Sequence, residues 1–178
     1  RGEINQISKN IDKNLKNSID IAFERIKKFH LKQKFISFKY KDAYKNEISY
    51  NYSPIDNVSE LTARINDEGW ENSFKDWLID SKINKKDVLF VFSVGGGSKK
   101  KNVSINLIKA IDHGRSKKSK ILGIVGKKNG YLALKGDCVI KIPFINQKFL
   151  TPFSEAMQGV IWHYLVSHPR LQVKKTKW

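Results

Sequence analysis

Apolar residues recur at three-and-four spacing from the start of the chain: Ile4, Ile7, Ile11, Leu15, Ile19, Ala22, Phe23 and Ile26. That period predicts one long amphipathic helix within residues 1–30, suited to a core or to an oligomer contact. Lys34–Tyr40 and Ile48–Tyr52 read as short strands separated by a polar segment. Asp56 or Asn57 is placed to cap a helix running through Leu61 and Ile65, with Glu60 near the capping-box position. A further helix is predicted over Asn72–Ile79, with Phe74, Trp77 and Leu78 on its apolar side. Val88-Leu89-Phe90-Val91-Phe92 is a continuous apolar run, the signature of a strand buried on both faces. Helical spacing returns from about Val103 to His113, through Leu107, Ala110 and Ile111. Two more buried strands are predicted at Ile121–Val125, closed by Gly126, and at Cys138–Ile142, closed by Pro143. A last helix is predicted from about Thr151 to His168, with Thr151 or Ser154 as cap and Pro152 in its first turn. Strands that alternate with helices predict a parallel, three-layer α/β sandwich.

Composition narrows this picture. The 178 residues are 40% hydrophobic, enough to bury a core in a single domain spanning 1–178 without disulfides. No apolar run approaches the roughly 20 residues needed to span a bilayer, and the polar, helix-patterned start does not resemble a signal peptide. The one cysteine, Cys138, lies in an apolar run; it reads as a small core residue and fits a reducing, cytoplasmic setting. The net charge of +17 is carried mostly by lysine, with arginine only at positions 1, 25, 64, 115 and 170. The lysines are spread over every segment. Sequence-reading nucleic-acid proteins favour arginine and exposed aromatics, so this pattern argues against such a partner. It suits a surface that draws in phosphorylated small molecules.

Two constellations carry candidate chemistry. The buried strand ending at Ser93 opens into Gly95-Gly96-Gly97-Ser98, ahead of a helix. Strand, glycine loop and helix N-terminus together bind phosphate through backbone N–H groups and the helix dipole. Ser93 and Ser98 would add hydroxyls, and Lys99 to Lys101 positive potential. A plain strand-to-helix turn is the competing reading. The spacing is neither that of a Walker loop nor Gly-x-Gly-x-x-Gly. The second constellation is Glu155 and His163 on the last helix. Eight residues apart, they lie about 80° apart around the axis and share a face. A carboxylate and an imidazole so arranged can exchange protons with a substrate or share a metal; a solvated Glu beside a partly buried His is the alternative. Gln158 and His168 are lesser candidates.

These residues, together with Asp56–Trp70, Gly123-Ile124-Val125-Gly126, Gly130-Tyr131, the stretch from Thr151-Pro152 through His163 to Pro169 and the tail Thr176-Lys177-Trp178, resemble the phosphoheptose isomerase branch of the sugar isomerase (SIS) domain family. The likeness covers 53–178, with 1–30 an N-terminal helix and 31–52 a divergent segment. It implies a flavodoxin-like parallel sheet, a homotetramer with active sites between subunits, and isomerisation of sedoheptulose 7-phosphate to a heptose 7-phosphate through an enediol. It usually implies a bound zinc as well. On this resemblance Ser93, Gly95, Gly96, Gly97 and Ser98 match the phosphate loop, and Asn57 and Ser59 match positions that contact the sugar phosphate. His163 matches an acid and metal ligand, and Glu155 stands where these enzymes often carry a glutamine ligand.

One departure is large. The family's first strand leads into a second loop of the type Gly-x-Gly-Gly-Ser, followed by a helix with a histidine and, four residues later, an acid. Here Lys34–Asp42 occupies that place, and no glycine occurs from Arg25 to Glu68. An ungapped match puts Asp42 at the acidic position and Phe38 at the histidine; a gapped match removes the loop altogether. His30 is a further candidate ligand without supporting spacing. The expectation is therefore an isomerase with His163, Glu155 and Asp42 as catalytic groups, or a non-catalytic sugar-phosphate-binding member of the same fold.

Overall fold

The structure is a computed structural model and describes residues 40–41, 47–48, 52–143, 146–169 and 171. The predicted helix within 1–30, His30, most of the two early strands, Asp42 and the tail motif at 176–178 lie outside the described residues. What is described of the early strands is a short antiparallel pair. β1 (Tyr40–Lys41) runs against β2 (Glu47–Ile48), with Tyr40 opposite Ile48.

Helix α1 (Val58–Glu68) begins at Asn57, whose side-chain oxygen accepts from the Glu60 N–H at 3.3 Å, as its sequence position predicts. Glu60 turns to Arg64 instead of closing a capping box. Arg64 bonds Glu60 and Asp80, each at 2.8 Å, and so fastens α1 to helix α2 (Ser73–Asp80). Strand β3 (Val88–Ser93) leads through the glycine loop to helix α3 (Ile105–Ser116). Strand β4 (Lys120–Val125), helix α4 (Tyr131–Lys135) and strand β5 (Cys138–Lys141) follow. A 3-10 turn (Gln147–Phe149) then enters helix α5 (Leu150–Ser167).

β3, β4 and β5 form a parallel sheet in that order, with Val91 beside Gly123 and Ile124 beside Ile140. Side chains alternate across it, so each strand feeds two cores. Leu122, Ile124, Cys138 and Ile140 pack with Ile161 and Leu165 of α5. Val91, Ile121 and Val125 pack on the opposite face with Ile111 of α3 and Leu132 of α4. Three layers result. Each fully enclosed isoleucine contributes about 1.5–3 kcal/mol relative to exposure, and Ile111, Ile121 and Ile124 have no exposed surface.

Two expectations need correction, and one element was not expected at all. Val103 is not helical: it pairs with Ser98 across a short hairpin and is 52% exposed, so α3 starts two residues later. Neither Thr151 nor Ser154 caps the last helix, which starts at Leu150 behind Phe149 with no side-chain cap. Ser154 is buried instead, where α5 meets the sheet. No periodicity pointed to α4, whose five residues are too few to display one. Among the described residues, no helix is long and apolar enough to cross a membrane.

Candidate functional site

At the carboxyl edge of the sheet the chain leaves β3 and turns through Val94-Gly95-Gly96-Gly97. Gly96 and Gly97 have φ of +73° and +82°, a backbone form that side-chain-bearing residues rarely adopt. Ser93 Oγ accepts from the Gly96 N–H at 2.9 Å and sets the start of the turn. The loop's carbonyls all face protein. Val94 O accepts from Gly126 and Lys127 N–H at 3.0 and 3.1 Å, Gly96 O from Leu132 at 2.9 Å, and Gly97 O from Tyr131 at 2.8 Å.

Three of these four carbonyls accept backbone hydrogen bonds while that of Gly95 packs against Gly130, and the loop leaves donors over. The N–H groups of Gly95 and Gly97 have no acceptor among the described residues. Gly130 permits this close docking. A Cβ there would sit in steric overlap with the Gly95 carbonyl oxygen and 2.9 Å from its carbon.

A strap over 98–104 then brings α3 back to the loop. Ser98 and Val103 exchange backbone hydrogen bonds at 2.9 and 3.1 Å, and Asn102 and Ser104 take positive φ to close the return. Ser98 Oγ accepts from the Lys101 N–H, so its hydroxyl belongs to the strap. The first turn of α3 ends up against Gly97, whose Cβ position lies 3.5 Å from Ser104 O. Ser104 makes no side-chain cap; Asn106 Oδ1 accepts from the Leu107 N–H at 2.8 Å, and the rest of the helix's positive end stands beside the loop.

Three side chains from separate segments brace this arrangement. Lys99 Nζ lies 3.0 Å from Asp112 Oδ2 on α3 and 4.8 Å above the ring of Tyr131, whose hydroxyl donates to Asp112 Oδ1. Burial alone would raise the Asp112 carboxyl, but the Tyr131 hydroxyl and Lys99 together hold it below the usual range. The same bond to Asp112 raises Lys99, and burial with that bond raises Tyr131. Tyr131 is thus a pivot: its N–H holds Gly97 and its hydroxyl holds α3. Residue spacing gave no sign of this brace, because its members are brought together only by the fold.

The other predicted residues fare unevenly. Glu155 follows Ser154, whose Cβ lies 3.0 Å from the Cβ position of Gly126, so Glu155 sits at the same edge of the sheet as the glycine loop. His163 lies two turns further, about 12 Å along the helix axis. Both are exposed, on the side of α5 that carries Gly159, Val160 and Val166. Gln158 Nε2 points inward to Ile124 O at 3.4 Å, which removes it from the candidates. His168 packs its ring edge-on to Tyr164. Asn57 and Ser59 are exposed at the start of α1, with the Asn57 oxygen engaged in capping; no described hydrogen bond brings either to the loop. Asp42 lies outside the described residues.

As for a zinc ion, a carboxylate and an imidazole are donor types it accepts. No group of three or more His, Cys, Asp or Glu able to hold a metal occurs among the described residues. Glu155 and His163 would be two members of a set that needs completing from elsewhere.

A groove of about 400 Å³, unanticipated from the sequence, lies along the edge of β3 that has no strand partner among the described residues. Trp77, Phe90, Phe92 and Trp162 line it, with Ser53 and Asp56 at its side. Phe90, Phe92 and Trp162 form a mutual ring cluster with centroids 4.8–5.9 Å apart. Its apolar lining suits hydrocarbon or an aromatic ring better than a sugar phosphate.

Comparison with known proteins bears on the fold and on the chain's relatives. No family model matches the chain. Over 98 residues, 55% of the chain, it is 35% identical to the phosphoheptose isomerase of Hamiltonella defensa. Solved phosphoheptose isomerases from Neisseria gonorrhoeae and Francisella tularensis superpose with TM-scores of 0.60 and 0.58, covering 91% and 90% of the chain at 16% and 15% identity. Phosphoheptose isomerases of several bacteria are thus among the proteins it resembles in sequence, at 32–35% identity. The three-layer α/β fold, with its parallel sheet, is theirs as well. The match spans 44% of the Hamiltonella protein, less than half its length. A 57-residue stretch is also 42% identical to a histidinol dehydrogenase of Pelagibacter ubique, over only 13% of that protein.

Proposed function

We propose that this chain binds a sugar phosphate at the glycine loop and isomerises it between ketose and aldose, with sedoheptulose 7-phosphate as substrate. The observation that carries the reading is the polarity of the loop. The carbonyls of Val94, Gly96 and Gly97 are taken by 126–132, its spare N–H groups belong to Gly95 and Gly97, and a helix start without a Ser104 side-chain cap stands beside them. Homology to phosphoheptose isomerases supplies the substrate class.

In this reading the phosphate anchors the sugar at the carboxyl edge of the sheet, within range of α5. A carboxylate takes the proton from the carbon beside the carbonyl, and the C–H electron pair becomes the enediol double bond. A proton delivered to the carbonyl oxygen keeps that intermediate neutral. Return of a proton to the neighbouring carbon, with loss of the other hydroxyl proton, gives the isomer. Glu155 is the carboxylate of α5 at this edge of the sheet, His163 the imidazole on the same face, and Asp42 the further acid that the resemblance nominates. A zinc held by Glu155 and His163 would polarise the substrate oxygen.

The exposed strip of Val160, His163 and Val166 on α5, with Trp162 and Tyr164 at its flanks, supports burial against another copy of the chain. Such burial would make the site one shared between subunits, in a homotetramer. The single cysteine of the chain, Cys138, is buried in the core, which suits a reducing cytoplasm.

The test is conversion of sedoheptulose 7-phosphate by the chain with added zinc, beside a His163→Ala variant. Conversion that vanishes in the variant supports the isomerase. Phosphate-competitive binding without conversion would instead establish a sugar-phosphate binder, the reading favoured by the missing Gly-x-Gly-Gly-Ser loop.

A further inference from the structure

We propose that Asp112 on α3 is a positioning residue of the phosphate site, holding the Gly97 peptide in place for the ligand through Lys99 and Tyr131. The inference rests on the reading of the glycine loop as a phosphate site and names the side chain that keeps that loop in shape.

Two arms join Asp112 to the same peptide. Lys99 Nζ lies 3.0 Å from Asp112 Oδ2. Lys99 follows Ser98, whose N–H and carbonyl are both bonded to Val103, so this lysine is rooted at the closed end of the strap, two residues from Gly97. In the other arm the Tyr131 hydroxyl donates to Asp112 Oδ1, and the Tyr131 N–H donates to Gly97 O at 2.8 Å. Each carboxylate oxygen thus serves one arm. The arms also touch, because Lys99 Nζ lies 4.8 Å from the centre of the Tyr131 ring.

Gly97 depends on support from outside. It has no side chain to anchor it, and its φ of +82° belongs to the region where glycine moves most freely. Its N–H is one of the loop's two spare donors, so the direction of that peptide sets how the donor meets a ligand. Ion pairs of exposed side chains contribute little to stability, and the Asp112 side chain is 43% exposed. A carboxylate that ties the strap, α3 and the start of α4 to one glycine peptide therefore matters for where that peptide points.

The charge of Asp112 gives the test its sign. Acting on a bound phosphate through its field alone, an anion repels it, and its removal would tighten binding. Removal would also release the Lys99 ammonium from its partner, a change in the same direction. A positioning residue has the opposite sign: its removal loosens Gly97 and weakens binding.

The experiment is calorimetric titration with inorganic phosphate and with fructose 6-phosphate, on chains whose unfolding midpoints show them folded at the titration temperature. Asp112→Ala should weaken both ligands about fivefold or more. The K99M/Y131F double variant should show a similar loss, and adding D112A to it should change affinity by less than about twofold, since both arms are already gone. Asp137→Asn removes the same charge at the opposite end of β4, where the carboxylate accepts from the Ile121 N–H, and should leave affinity within about twofold. In amide proton–nitrogen spectra at saturating phosphate, the ligand-induced shift of Gly97 should shrink in D112A while that of Gly95 is kept. Unchanged or tighter binding in D112A overturns the proposal. So does a further loss in the triple variant, which would give Asp112 a route of its own, and so does an equal loss in D137N, which would mark a general effect. Should D112A fail to fold, Asp112→Asn keeps the shape and gives up only the Lys99 arm; a loss of about twofold or more supports the proposal, and unchanged or tighter binding overturns it. If neither ligand binds the wild-type chain, the phosphate-loop reading and this proposal both fall. Binding that ignores Asp112 removes this proposal alone.

Discussion

Replacing Gly130 by alanine tests the core of the site, because the added methyl meets backbone that cannot rotate away. The new Cβ would overlap the Gly95 carbonyl oxygen, lie 2.9 Å from its carbon and 3.1 Å from Gly96 Cα. Gly130 itself has an ordinary φ of −71°, so the cost is steric. Relief requires the glycine loop and the start of α4 to separate. That movement strains the Tyr131-to-Gly97 and Leu132-to-Gly96 hydrogen bonds, now 2.8 and 2.9 Å. Overpacking of this kind costs about 1–3 kcal/mol, and weakening two backbone bonds adds about 1 kcal/mol. A total of about 2–4 kcal/mol lowers Tm by roughly 5–15 °C for a domain of this size. Phosphate affinity should fall at the same time, since the loop's N–H groups no longer converge. Thermal unfolding by circular dichroism, paired with calorimetric phosphate titration, reads both effects. Gly95→Ala is the stability control: nothing lies within 4 Å of its Cβ position, so its Tm should stay within about 2 °C of wild type. A Gly130→Ala chain that melts like wild type and binds phosphate equally well would refute the docking of the loop on 126–132.

Other perturbations separate the remaining parts of the argument. Gly159→Ala adds a methyl on the open side of α5, where nothing lies within 4 Å. In a monomer it should stabilise by about 0.5–1 kcal/mol, whereas loss of oligomer on sedimentation would mean that a partner helix packs there. Tyr131→Phe removes the hydroxyl that holds Asp112 but keeps the ring and the N–H to Gly97. It should cost about 1 kcal/mol in chemical denaturation and weaken phosphate binding several-fold; unchanged binding would show the brace to be structural only. His113 has a buried Nε2 without a hydrogen-bond partner among the described residues, and its pKa is lowered by burial and by Lys117 and Lys75, with Asp76 opposing. The unfolded chain therefore takes up this proton more readily, so the stability contribution is complete above the unfolded value of 6.5 and is lost as pH falls below it. Denaturation midpoints at pH 7.5 and 5.5 should show that loss, and His113→Leu should flatten it; an identical pH response in both chains would exclude His113 as its source.

Much of this was legible in the sequence. The apolar run at 88–92 and the shorter ones at 121–125 and 138–140 became the parallel sheet. Asn57 announced its helix by residue type, and three adjacent glycines after a buried strand announced the loop. These signals are local: periodicity, capping chemistry and backbone freedom act within a few residues, so they survive without knowledge of the fold. At Val103 the helical spacing gives way to a competing local pairing. Ser98 and Val103 pair with each other and the chain uses positive φ at Asn102 and Ser104 to return.

The chain's own order of residues determined that a glycine loop follows a buried strand, and that Glu155 and His163 share a helix. Only the tertiary structure decided which way the loop's carbonyls face, because that depends on N–H groups from 126–132, thirty or more residues away. The fold likewise made Lys99 a paired charge and left Lys100, Lys101, Lys127 and Lys128 unpaired among the described residues. A lysine's partner is set by what the fold brings within about 4 Å of it, and no spacing along the chain records that distance.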